Sequence, residues 1–286
     1  MASTTKKVLL PLLLARALSQ QCTEALSLNT TTLFTTAPYF ASWNIDSSRD
    51  RLFFDVNFAA PQLVYLASQL SGAHIRFGGT GNDFLVYDVA ATPAPCTGSV
   101  NCLNKTWIND LWALSSASQN TLVFGVNIHP PGASSPPKGP WDPTNARALL
   151  TYLKDAGLPA PWGLELGNEQ NTIMTAQQQA GAFVALSALL DSVYGAGAGD
   201  RPALIGPDPH SFRDAGSSMA QQLAYIKAFL TSLGSVPLRA ITHHEYSACP
   251  KPPRPQAAAL RAPGQHAHAN HHTNTPLCTT TTLRRS

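Results

Sequence analysis

Six short apolar runs recur along this chain, at residues 38–46, 72–80, 120–128, 161–169, 202–208 and 239–246, and each ends in polar or Gly-rich residues. Helical patterns lie between them. Residues 144–156 align Leu149, Leu150 and Leu153, with Thr144 placed as N-cap and Gly157 as stop. Residues 175–194 and 218–233 follow suit, the latter aligning Met219, Leu223, Ile226, Leu230 and Leu233. Buried strands alternating with helices predict an α/β fold with a parallel sheet. Polar residues collect at the C-terminal ends of the runs: Asp46, Thr80, Asn127, Asn168, Glu169, Asp208, His244 and Tyr246. That end carries the ligand site in a (β/α)8 barrel and in an open doubly wound sheet alike. "RFGGTGND" has the wrong spacing for a dinucleotide loop, which favours the barrel. Six runs against eight strands predict a (β/α)8 barrel that is incomplete.

Charge is scarce, at 12% of residues, and unevenly spread. Of 19 basic residues, three lie in the first 19 positions and five after Glu245, and neither stretch holds an acid. The body between them has 11 basic against 16 acidic residues, which argues against a nucleic-acid partner. Lys6 and Lys7 precede the apolar "VLLPLLLA", then small residues follow, so residues 1–19 read as a secretory leader. The apolar run is far short of the ~20 residues of a bilayer span. Asn29 and Asn104 begin glycosylation sequons, which fit that route but arise easily by chance. Cys96 and Cys102 bracket a Gly/Ser loop that a disulfide could close, or they stand as unpaired thiols. The body spans 33–247. Residues 248–286 have no acid, no strand pattern and hardly a large apolar side chain, and read as a disordered tail. Its "HAHANHH" is composition bias before it is a metal site. No metal or cofactor is expected.

"WGLELGNEQN" places two glutamates in an apolar, Gly-rich segment. By strand alternation Trp162, Leu164 and Leu166 share one face, and Gly163, Glu165, Gly167 and Glu169 share the other. Glu165, one layer down, must be paired, and Arg76 on "HIRFGG" is the candidate partner. Glu169 stands at the strand end, where it reaches solvent. An isolated glutamate there is more often a cap or loop anchor. A carboxylic acid preceded by Asn suits sugar-bond cleavage: the acid protonates the leaving oxygen while the amide binds a neighbouring hydroxyl.

"WGLELGNEQN" is similar to the W-E-L/F-G-N-E-P segment of heparanases and heparanase-like members of glycoside hydrolase family 79. "SWNID", "IRFGGTGNDFLVYD", "FGVN", "WDPTNARALLTYLKDAGL", "IGPD" and "ITHHEY" match in order, so the resemblance covers roughly residues 35–247. It implies a retaining β-glucuronidase-type glycosidase on a (β/α)8 barrel followed by a β-sandwich. Glu169 would be the acid/base and Asn168 its neighbour at the sugar. Asp46, Thr80, Asn127, His244 and Tyr246 would line a glucuronide pocket. The implied partner is a glucuronic-acid-containing polysaccharide or proteoglycan glycan, met extracellularly, at the cell surface or in a lysosome or vacuole. The stretches "CTGSVNCLNKTWIND" and "PHSFRDAGSS" hold one Lys and one Arg, unlike the basic clusters of animal heparanases, which implies substrates that need not be sulfated.

A retaining glycosidase needs a second carboxylate about 5–5.5 Å from the acid. The family carries it on the seventh strand, and this sequence has no Asp or Glu after Glu245. By alternation Glu245 points away from His244 and Tyr246. The chain as written is therefore expected to lack the nucleophile, two strands and the sandwich domain, and to be inactive. Three readings stay open: an enzyme by family, a non-catalytic carbohydrate-binding or regulatory form, and a gene-model fragment without a function of its own.

Overall fold

The computed structural model describes residues 35–47, 52–89, 102–130, 139–210, 219–245, 280–281 and 284–285. All six expected runs form parallel strands: β1 (Trp43–Asp46), β2 (His74–Gly78), β5 (Thr121–Val126), β6 (Gly163–Leu166), β7 (Ile205–Pro207) and β8 (Ala240–Thr242). The short strands β3 (Val86–Asp88) and β4 (Cys102–Asn104) pair beside them. β1, β2, β5 and β6 form one parallel sheet in that order. β7 pairs parallel with β8, and a single parallel bridge from Leu164 to Leu204 links β6 to the start of β7. The spatial order follows the sequence, as short right-handed crossovers dictate.

Helices supply the crossovers. They are α1 (Pro61–Ser68), α2 (Lys105–Ala117), α3 (Thr144–Asp155), α4 (Ala176–Tyr194) and α5 (Met219–Leu233). Leu122, Phe124 and Val126 of β5, with Leu164 and Leu166 of β6, join the main core against these helices. The alternate positions face the other way: Val123, Ile205 and Ala240 make a separate small cluster, and Trp162, expected beside Leu164 and Leu166, packs against it instead because it precedes β6 and stacks on His74. Among the described residues no helix is long and apolar enough to cross a membrane.

Local details correct two sequence expectations. Thr144 is the first helical residue rather than the cap, and Asp142 Oδ1 accepts from its N–H (2.9 Å) and its hydroxyl (2.7 Å). In α5, Leu223 and Leu230 are exposed, while Gln222, Phe229 and Leu233 are buried. Phe229 packs edge-on against Phe183 of α4, with centroids 5.1 Å apart, and that contact sets the helix rotation. Thr175 and Gln178 close a reciprocal capping box on α4.

Beyond Tyr246, where no strand was expected, Thr280–Thr281 (β10) and Arg284–Arg285 (β11) pair antiparallel with His244–Glu245 (β9) and β8. Sheet edges offer unpaired N–H and C=O groups that such segments satisfy. The leader, the remainder of the tail, "HAHANHH", Asn29, Cys96 and Tyr246 lie outside the described residues.

Candidate active site

The C-terminal ends of the strands bring a dense set of charges together. Arg76 on β2 is the hub. Its Nε donates to Glu165 Oε2 at 2.6 Å, and one Nη donates to Asp208 Oδ2 at 2.6 Å. The guanidinium also donates to Asn44 Oδ1 (3.1 Å) and Asn168 Oδ1 (3.2 Å). Alternation brings these groups together: Arg76 pairs in register with Asn44 and Val123, and Gly125 with Glu165, so these residues lie on adjacent strands.

One cation cannot hold two buried carboxylates equally low. Burial pushes Glu165 up, and Arg76 only partly offsets it. Burial pushes Asp208 up as well, but Arg76 and then His244 outweigh it and hold it low, at about 2. Burial would lower His244; Asp208 and a bond to Glu169 instead raise it to about 10. His244 is therefore an imidazolium wedged between acids. Its Nδ1 lies 2.5 Å from Glu169 Oε1, and its Nε2 lies 3.0 Å from Asp208 Oδ1.

Glu169 differs from the other two acids in access. Its side chain is 18% exposed, against 2% for Glu165 and 1% for Asp208. A second histidine, His210, stands 3.7 Å from Glu169 Oε2. Glu169 takes a left-handed backbone (φ 55°), as Asp208 does at the end of the next strand (φ 55°), and the Glu169 N–H donates to the Asp208 carbonyl at 2.9 Å. Such a conformation costs a non-glycine residue about 1 kcal/mol or more and persists only where neighbours impose it.

The other expected site residues divide. Asn168 is buried, with its oxygen toward Arg76 and its amide nitrogen 3.4 Å from Thr80 Oγ1. Thr80 is exposed at the strand end, and Asp46 is exposed and lies beside Gly79. Asn127 is buried; its oxygen accepts from Asn145 (2.8 Å) and its amide donates to the His129 carbonyl (3.0 Å). Cys102 is disulfide-bonded, to a partner outside the described residues. Among the described residues no group of His, Cys, Asp or Glu could hold a metal ion.

Three residues near Glu169 were not singled out from sequence: Asp83, Gln170 and His210. Asp83 Oδ1 accepts the Asn168 N–H at 2.7 Å, and Oδ2 accepts from the Gln170 amide at 2.8 Å. Burial pushes Asp83 well above the usual carboxylate range, against the Asn168 bond that lowers it. Its place in "GGTGNDF", one turn after β2, was the available signal.

An α/β protein whose parallel strands end in buried carboxylates and one accessible glutamate defines the class. The chain belongs to glycosyl hydrolase family 79: residues 42–254 match the model of that family's N-terminal domain. It is 26% identical over 266 residues to mouse heparanase, covering 73% of this chain and 46% of that protein. Bovine heparanase is 26% identical over 270 residues, with 73% and 45% covered. The chain thus spans less than half the length of these relatives. Among solved structures, a family 51 α-L-arabinofuranosidase from Bifidobacterium longum aligns with a TM-score of 0.45 at 14% identity. A 4-O-α-L-rhamnosyl-β-D-glucuronidase from Fusarium oxysporum aligns at 0.42 and 18%. Both alignments cover 73% of this chain and 45% of the other.

Proposed function

We propose that this chain carries the acid/base half of a retaining β-glucuronosyl hydrolase, on six strands of a (β/α)8 barrel, and that it binds glucuronides without turning them over. The observation that carries this reading is the accessible Glu169, following Asn168 at the end of β6 and contacted by His244. The sequential strand order supports the barrel. Asn168 keeps only a long 3.4 Å contact from its amide nitrogen, so that donor can turn to a sugar hydroxyl. Asp46, Thr80, Asn127, His244 and Tyr246 complete the proposed pocket.

The absence of turnover rests on the second carboxylate. Glu165 and Asp208 are buried and bound by Arg76, so neither is free to attack an anomeric carbon. His244 also contacts Glu169, which ties that side chain into the ion network. Family membership and the heparanase names of the relatives support a glucuronic-acid-containing polysaccharide or proteoglycan glycan as ligand. The disulfide at Cys102 and the leader-like pattern of residues 1–19 support the secretory pathway.

Titration calorimetry of the full chain with an aryl β-glucuronide tests this. Binding without release of the aryl group is expected, with Glu169→Gln weakening binding several-fold through the altered contact to His244. Turnover by the wild-type chain that Glu169→Gln abolishes would overturn the non-catalytic reading. No binding at all would overturn the pocket.

A further inference from the structure

The backbone around Glu169 is held from one side by a single carboxylate. Asp83 is 2% exposed and gives one oxygen to the residue before Glu169, through the Asn168 N–H, and the other to the residue after it, through the Gln170 amide. Gln170 Nε2 also donates to the Asn168 carbonyl at 2.8 Å, which closes the ring across the turn. Gly167, just before, sits at φ 80°, so the chain enters the turn already left-handed and Glu169 continues the departure. Glycine takes that conformation freely, whereas Glu169, as a non-glycine residue, needs external bonds to persist in it.

The element that carries Asp83 is itself anchored on β2, β5 and the residues that follow β1 and β5. It is the 3-10 helix Thr80–Phe84, which follows β2. The Asn82 amide donates to the Gly125 carbonyl (2.7 Å) of β5 and the Phe77 carbonyl (3.3 Å) of β2. Its N–H donates to Ser47 Oγ at 2.9 Å, beyond β1. The Asp83 carbonyl accepts from the His129 N–H at 2.9 Å. A Cβ on Gly81 would overlap the Ser47 carbonyl oxygen, so glycine is what lets this helix sit so close. The platform is therefore fixed before it meets the turn.

We propose that Asp83 is a positioning residue for the acid/base glutamate: its carboxylate brackets Glu169 through Asn168 and Gln170 and sets the direction in which that side chain leaves the strand end. This rests on the reading of Glu169 given above. Asp83 touches no reacting atom in this scheme. It acts through the turn, whereas His244 and His210, among the described residues, face Glu169 directly.

Two variants of the full chain separate this from a general contribution to stability. Gln170→Ala removes one side of the bracket without changing the number of charges. Asp83→Asn keeps an oxygen for the Asn168 N–H but turns a donor toward the Gln170 donor. Amide hydrogen exchange by NMR is read at Asn168 and along β5 and β6, together with the pH response of the Glu169 side-chain carboxyl carbon. The expected result in both variants is an Asn168 amide that exchanges at least about tenfold faster, as loss of a hydrogen-bond network permits. β5 amides should keep their protection, and the Glu169 response should be displaced. If Asp83→Asn does not fold, Gln170→Ala carries the test alone. Wild-type behaviour of Asn168 and Glu169 in folded Gln170→Ala, or a uniform acceleration across β5 and β6, overturns the proposal. Glucuronide binding to the wild-type chain is measured alongside: its absence removes the proposed function and leaves the bracket standing, whereas unaltered exchange removes the bracket and leaves binding standing.

Discussion

The two ends of the same strands treat histidine in opposite ways. At the N-terminal end, His74 begins β2 and stacks between Tyr39 and Trp162, with ring centroids 5.5 and 4.2 Å away. Arg239 lies over the Trp162 ring, 5.2 Å from its centroid. Burial and then Arg239 lower His74. At the C-terminal end, His244 is as deeply buried but sits between Asp208 and Glu169, and is raised. Both pay desolvation; the sign of the neighbouring charge decides the outcome. One end is a neutral aromatic stack and the other a network of ions.

The sharpest way to break this contrast is to remove the hub of the charged end. Arg76→Met leaves Glu165 and Asp208 buried without their cation, and truncating one partner of a buried ion cluster costs about 3–5 kcal/mol. Denaturant unfolding at pH 7 should show a loss of that order, and a change below about 1 kcal/mol would mean the cluster is not closed as described.

A pH series comes next in size. His244, raised from 6.5 to about 10, contributes stability that is complete below pH 6.5 and is lost as the pH rises toward 10. Asp208, depressed to about 2, contributes above pH 3.8 and loses that as the pH falls toward 2. Glu165 and Asp83, both raised, bind protons more readily folded than unfolded, so they weaken the fold as the pH climbs above the ordinary carboxylate range. The three effects together place maximal stability on the acidic side of neutrality. Thermal melts should fall by several degrees between pH 6.5 and pH 9, and His244→Gln should flatten that slope. A flat wild-type profile, or a slope unchanged in the variant, would show that His244 is not held between the acids.

Much of this architecture was legible in the residues. Alternation in "HIRFGG" and "WGLELGNE" puts Arg76 and Glu165 on one face of neighbouring strands, and their contact follows once the strands pair. The helices Pro61–Ser68 and Lys105–Ala117 were not read. The first exposes Tyr65 and Leu66, which blurs its apolar stripe. The second is capped by Asn104, whose oxygen accepts the Trp107 N–H at 2.9 Å, a residue noted only as a sequon. Asn127 shows the other limit. Its place at a strand end was correct, yet Asn145, 18 residues on, decides what its amide does. Asp83 meets Asn168 across 85 residues: its place in "GGTGNDF" marks it as near the site, but that local pattern does not name its partner.

The smallest effect belongs to the neutral end, and it tests the sign of the contrast. His74→Phe keeps a ring between Tyr39 and Trp162 and removes only the 2.6 Å contact between His74 Nδ1 and Thr121 Oγ1. At pH 8, where His74 is uncharged folded or unfolded, the change should stay within about 1 kcal/mol, because stacking and one net hydrogen bond are each of that size. Below pH 6.5 the balance shifts. The unfolded chain takes up a proton that folded His74 resists, so this histidine weakens the wild-type fold as the pH falls. Phenylalanine cannot be protonated, so the variant should gain on the wild type between pH 8 and pH 5. His244→Gln shows its relative gain in the opposite direction, as the pH rises. Melting-point differences measured at both pH values decide it: a His74→Phe difference that does not move with pH would place His74 in the same electrostatic class as a solvent-exposed histidine and dissolve the distinction between the two ends.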